Sequence, residues 1–196
     1  MDPRPPRHWL FGYGSLIWRP DFPFLERQPA VLHGWTRRFW QGSHDHRGLP
    51  HAPGRVVTLI EAAGARCLGM AYALDGAVYD EVVAALDVRE KNGYARFAAP
   101  VYLHGGADAA KKGMAEGMAG GSTVEALVYI ATPDNHAFLG PAPLESLAQQ
   151  IHRSHGPSGS NREYLFELAA ALRALDARHH DDAHVFELDA AVRALS

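Results

Sequence analysis

The chain has 196 residues, 47% of them hydrophobic, and a formal net charge of -3 at pH 7. This suffices for one ordinary core, so a single domain over residues 1–196 is the default. The acidic balance and the scattered cations, adjacent only at Arg37-Arg38 and Lys111-Lys112, exclude the footprint of a nucleic-acid binder, and no apolar run reaches the length of a membrane span.

Residues 1–8 read as a flexible N-terminus without the apolar core of a signal peptide. Strand candidates follow at 9–13, 30–41, 55–60, 67–74, 97–103 and 125–131, where β-branched and aromatic residues lie between Gly and Pro breaks. Between the fourth and fifth strands, Tyr79, Val82, Val83 and Leu86 recur at helical spacing and give one apolar face. Residues 105–122, rich in Gly and Ala, read as a flexible loop. The last third of the chain is helical. Leu144, Leu147, Ala148 and Ile151 form one stripe. Leu165, Leu168, Leu172 and Leu175 form another, with Ser160 or Asn161 as N-cap. A final helix covers 184–195. The order predicts an α+β chain: a mixed β structure with flanking helices. Cys67 stands alone in an apolar strand, a buried and inert thiol that fits a reducing, cytoplasmic setting.

Two segments carry chemistry. The first is W-L-F-G-Y-G-S-L-I-W (9–18). Gly12 and Gly14 free the backbone for unusual angles and leave no side chain in the way. The N–H groups of Tyr13, Gly14, Ser15 and Leu16 can then line one concavity, a nest for a carboxylate or a developing oxyanion. A glycine-rich hairpin with no ligand has the same pattern. The second is D-V-R-E-K-N-G-Y (87–94). Continuing the apolar face by four residues reaches Glu90, which points inward while Arg89 and Lys91 point away. Burial raises a carboxylate's pKa towards neutrality, as a general base requires. A helix-end Glu that pairs with Arg89 or Lys91 is the alternative.

Other constellations are incomplete. His44, His46 and His51, and likewise His179, His180 and His184, cluster in sequence without a Cys or carboxylate set to complete a metal site. The glycine turn lacks the Lys and Ser/Thr of a phosphate-binding loop. Ser15 lacks the closing glycine of a nucleophile elbow. No metal and no cofactor are expected.

Seven runs resemble one known family, in order and over nearly the whole chain. They are G-Y-G-S-L-I-W (12–18), F-W-Q-G-S-H-D-H-R-G (39–48), P-G-R-V-V-T-L (53–59), D-V-R-E-K-N-G-Y, A-T-P-D-N (131–135), G-P-A-P-L (140–144) and G-P-S-G-S-N-R-E-Y-L (156–165). They are similar to the ChaC family of γ-glutamylcyclotransferases. The resemblance implies a small β-barrel with flanking helices. It also implies cofactor-free cleavage of glutathione to 5-oxoproline and Cys-Gly. By motif matching, the catalytic glutamate falls on Glu90 and the substrate loop on Phe11, Gly12, Tyr13, Gly14, Ser15 and Leu16. Glutathione carries a second carboxylate on its glycine, and Arg47, Arg55 and Arg38 are candidates to pair with it. Arg47, in D-H-R-G, comes first. Tyr164 is a further candidate contact. Two alternatives stay open: cyclotransfer on other γ-glutamyl amides, and a non-catalytic regulator of cation transport.

Overall fold

The computed structural model describes residues 7–90, 93–104, 122–175 and 181–195. Two long strands, β2 (Glu26–Ser43) and β3 (Gly54–Asp75), form the main hairpin. β1 (Arg7–Gly12), β4 (Ala95–Leu103) and β5 (Thr123–Ile130) complete a closed barrel in the order β1-β3-β2-β4-β5. All neighbours are antiparallel except the closing pair, where β1 runs parallel to β5 through Trp9↔Ala126 and Leu10↔Leu127.

The strands expected at 55–60 and 67–74 are one strand. The intervening E-A-A-G-A-R is absorbed where the β2–β3 register shifts between His33 and Trp35. A bulge bends a strand without ending it, and Gly34 and Gly64, both at positive φ, flank this one. Of the N-terminal segment expected at 1–8, residues 1–6 lie outside the described residues. Arg7 and His8 pair with Asp75 and Leu74, and the His8 ring stacks on Tyr79 at 4.1 Å. Of the expected loop at 105–122, residues 105–121 lie outside the described residues, and the Ser122 carbonyl accepts from the Leu103 N–H at 2.9 Å.

Among the described residues, four longer helices pack on the barrel. α1 (Tyr79–Arg89) buries Val82, Val83 and Leu86, and its cluster includes Leu10, Tyr72, Leu74 and Tyr129. α2 (Leu144–Arg153), α3 (Asn161–Ala174) and α4 (Ala183–Arg193) cover another face. Their fully enclosed Leu165, Leu168, Leu172, Val185, Leu188 and Val192 join Phe39, Val57 and Leu59 of the barrel. Each such side chain contributes about 1.5–3 kcal/mol on burial, which outweighs the small propensity differences along a short helix. Ser160 caps α3, its Oγ accepting from the Glu163 N–H at 3.3 Å. The neighbouring Asn161 ties α3 to β3, because its amide pairs with both backbone groups of Arg55, at 2.6 and 2.7 Å. The hairpin β6 (His155–Gly156) and β7 (Gly159–Ser160) leads into α3.

Candidate active site

β1 ends at Gly12, and the chain folds back through a single 3-10 turn at Ser15–Ile17. The glycines serve here through space. Neither Gly12 nor Gly14 has a positive φ, but Gly14 sits at φ -117°, ψ -132°, outside the helical and extended regions. A Cβ on Gly12 would lie 2.5 Å from the Leu16 Cβ. A Cβ on Gly14 would lie 3.1 Å from the Tyr164 hydroxyl and 3.2 Å from Val57. The turn is pinned by Tyr72 Oη donating to the Leu16 carbonyl at 2.5 Å and Tyr13 Oη donating to the Tyr129 carbonyl at 2.7 Å. Among the described residues, the N–H groups of Tyr13, Gly14, Ser15 and Leu16 donate to no partner. The side chains of Phe11 and Leu16 belong to the two core clusters, so these residues offer the site mainly backbone.

Glu90 sits at the C-terminal cap of α1, its N–H donating to the Leu86 carbonyl at 2.7 Å. The apolar face of the helix carries it inward, and its side chain is 21% exposed, neither core nor free in solvent. The chain beyond is clamped. Asn135 Nδ2 donates to the Gly93 carbonyl, and Gly93, at φ +86°, leaves no room for a Cβ beside that amide. The Tyr94 hydroxyl donates to the Val57 carbonyl at 2.9 Å. Burial drives the Glu90 carboxyl above its ordinary 4.5; Arg89 and His46 pull it back, and Asp45 pushes it further up.

Arg89 does not point away as the helical wheel predicts. Its Nη2 donates to Ser15 Oγ at 2.7 Å, its Nε lies 3.6 Å from Glu90 Oε1, and its Nη1 lies 3.5 Å from Asp21. Its long stem folds back because a hydroxyl and two carboxylates are within reach. Lys91 lies outside the described residues.

A cavity of about 400 Å³ opens here, walled by Ser15, Arg47, Arg89, Glu90, Tyr94 and Tyr164. A smaller one of about 50 Å³ lies against the turn from Phe11 to Leu16 and shares Ser15, Glu90, Tyr94 and Tyr164. The structure thus brings the turn, Glu90, Arg47 and Tyr164 to one place. Arg47 is held by Glu163 at 2.7 Å and by the Ser160 carbonyl at 3.1 Å, over the Tyr164 ring at 5.8 Å. Tyr164 is buried, its ring edge-on to Trp18 and Phe39.

Two of the arginine candidates line neither cavity. Arg55 is buried and donates to Gln150 Oε1 and the Gly140 carbonyl, both at 2.7 Å. Arg38 donates to Thr36 Oγ1 and the Arg37 carbonyl at 2.8 and 2.9 Å. Each finds acceptors within the fold, and these draw its guanidinium away from the site. Tyr94 and Arg89 were absent from the expected site. Their signal is present in D-V-R-E-K-N-G-Y, where both stand within four residues of Glu90.

Among the described residues, no three His, Cys, Asp or Glu side chains converge as a metal-binding group. His46 Nδ1 lies 3.1 Å from Ser158 Oγ, and His184 Nε2 accepts from the Phe39 N–H at 3.1 Å; His179 and His180 lie outside the described residues. Cys67 is buried, and burial pushes its thiol up to about 12. No helix among the described residues is long and apolar enough to cross a membrane.

The closed five-stranded barrel with its flanking helices has the fold of a solved γ-glutamyl cyclotransferase. The crystal structure of a yeast γ-glutamyl cyclotransferase specific to glutathione, labelled with selenomethionine, matches with a TM-score of 0.84 at 34% identity, covering 96% of each chain. Residues 8–195 match the ChaC-like protein family, and the chain belongs to it. The glutathione-specific gamma-glutamylcyclotransferase 1 of Danio rerio is 41% identical over 95% of this chain and 89% of its own. The human protein of that name is 39% identical, over 92% and 77%. Gamma-glutamylcyclotransferase 2-3 of Arabidopsis thaliana is 43% identical, over 94% and 88%.

Proposed function

We propose that this protein degrades glutathione as a γ-glutamylcyclotransferase, releasing 5-oxoproline and Cys-Gly, with Glu90 as acid and base. The observation that carries the reading is a partly buried carboxylate sharing one cavity with a turn whose N–H groups are unengaged. The names of the yeast, fish and human relatives support the substrate.

The reaction needs little machinery because nucleophile and electrophile belong to one molecule. The substrate's α-amine attacks its own γ-carbonyl, a five-membered lactam closes, and the γ-amide C–N bond breaks. Holding the γ-glutamyl chain curled supplies much of the rate enhancement by proximity. The proton shed by the attacking nitrogen goes to the Glu90 carboxylate. Glu90 then returns it to the leaving nitrogen of Cys-Gly, so the carboxylate ends as it began. The raised pKa of Glu90 suits both halves of this exchange. The amides of Gly14, Ser15 and Leu16 supply fixed donors for the substrate's oxygen charge. Tyr164 and Tyr94 shape the floor, and Arg47 stands at the wall where a second carboxylate arrives. No step calls for a cofactor. The cytoplasmic setting expected from the lone cysteine belongs to the same reading.

The test is mass spectrometry of purified protein mixed with glutathione, in parallel with γ-glutamyl-alanine. 5-Oxoproline and Cys-Gly from glutathione, at a rate well above that of the alanine compound, is the expected result. Equal turnover of both overturns the specificity and leaves a general γ-glutamyl amide cyclotransferase. No 5-oxoproline from either overturns the enzyme reading and favours a binding protein.

A further inference from the structure

Arg37 lies in the middle of β2 with its side chain fully enclosed, and it lines neither cavity. Each of its three nitrogens is engaged. Nη1 pairs with Asp182 at the start of α4, Nη2 donates to the Leu68 carbonyl and contacts Cys67 Sγ at 3.4 Å, and Nε donates to the Tyr13 carbonyl at 2.7 Å. A buried guanidinium with this many partners is ordinarily explained as a structural tie. The last contact has a further consequence. The Tyr13 carbonyl and the Gly14 N–H belong to one planar trans peptide, so they point in opposite directions. Whatever holds the carbonyl orients the N–H.

We propose that Arg37 is a positioning residue for the turn: by gripping the Tyr13 carbonyl from behind, it turns the Gly14 N–H away from the core and towards the substrate. Asp182 balances the charge of the buried guanidinium through Nη1, a different nitrogen from the Nε that serves Tyr13. Nothing else among the described residues bonds that carbonyl. The other anchor on Tyr13, its hydroxyl on the Tyr129 carbonyl, fixes the ring and leaves the following peptide free to rotate. A charged planar donor suits this role, because Nε can serve the carbonyl while both Nη atoms stay occupied. The proposal rests on the reading of the turn amides as substrate anchors.

Arg37→Lys keeps a cation for Asp182 but loses the fork that reaches Tyr13. Asp182→Asn weakens the same buried pair and keeps the Nε contact. In protein labelled with 15N-glycine, the Gly14 amide resonance, assigned by its loss in Gly14→Ala, is expected to move in Arg37→Lys and to stay in Asp182→Asn. Well below the melting temperatures of all variants, kcat/KM for glutathione is expected to fall about tenfold or more in Arg37→Lys and to stay near wild type in Asp182→Asn. An unmoved Gly14 resonance in Arg37→Lys overturns the proposal. So does a loss of activity that tracks melting temperature equally in both variants. If Arg37→Lys does not fold, Arg37→Met/Asp182→Leu replaces it, since it leaves no lone buried charge, and the same readouts decide. A wild-type protein inert towards glutathione would defeat the proposed function, while the Gly14 resonance would still decide this inference.

Discussion

The Tyr164 hydroxyl lies 3.1 Å from the point where a side chain on Gly14 would begin. A Val57 methyl stands 3.2 Å from the same point. The turn therefore has room for a glycine and nothing larger without displacing the cavity's own floor. Gly14→Val is expected to abolish 5-oxoproline formation. Ser15→Ala deletes a hydroxyl that accepts from Arg89 but keeps its backbone N–H. It is expected to lose about 1 kcal/mol, a few-fold in kcat/KM. Activity assays paired with thermal melts check both. A folded, active Gly14→Val beside a dead Ser15→Ala would assign recognition to the hydroxyl and remove it from the amides.

Glu90→Gln keeps the shape and hydrogen-bonding reach of the side chain but cannot take a proton. Turnover of glutathione is expected to drop by roughly 10²–10⁴-fold, with binding retained. Near wild-type turnover in the variant would mean that another group moves the proton.

The same residue sets a pH dependence of activity. With Glu90 as the proposed base, kcat/KM is expected to be lost as pH falls through its pKa. Burial places that pKa above 4.5, and the acid limb of the profile should lie above 4.5 as well. Arg89 pulls the value down by its charge. Arg89→Met should therefore move the limb to higher pH. A limb that stays in place, in a variant that still turns over, detaches the profile from Glu90.

Stability carries the opposite signature. A carboxyl whose pKa is higher folded than unfolded holds a proton in the folded state that the unfolded chain has already released. Its contribution is present at low pH and is lost as pH rises through that window. Glu90→Gln removes the loss. The variant should melt above wild type at pH 7, and the difference should vanish below about pH 4, where both states are protonated. Melting curves across pH check this, and a difference that does not change with pH contradicts it.

Much of the site was legible in the sequence because it rests on local periodicity. Val82, Val83 and Leu86 state a helix face, and that face delivers Glu90 to the interior. The turn and its need for glycine were legible, although the neighbours that crowd Gly14 were not. Close approach of Gly14 to Tyr164 depends on a residue far along the chain, and spacing within G-Y-G-S-L cannot express it. Arginine roles were the least legible. Arg38, Arg47, Arg55 and Arg89 differ in their acceptors, and those acceptors are mostly backbone carbonyls or side chains from distant elements. The two short strands expected at 55–60 and 67–74 merged because A-A-G-A looks like a break, yet the β2 partner continues past it and keeps the pairing.

The parallel contact of β1 with β5 has a consequence for how the molecule comes to work. Trp9 and Leu10 find Ala126 and Leu127 only after more than a hundred intervening residues are in place. Such distant pairing is slow to search and late to form. The turn follows a strand paired with both β3 and β5, and Glu90 and Tyr164 arrive from two other elements. If the turn, Glu90 and Tyr164 form the active site, catalytic competence is expected only once the barrel has closed. In a refolding experiment, the first appearance of 5-oxoproline should coincide with the slowest optical phase, so that turnover becomes a clock for barrel closure.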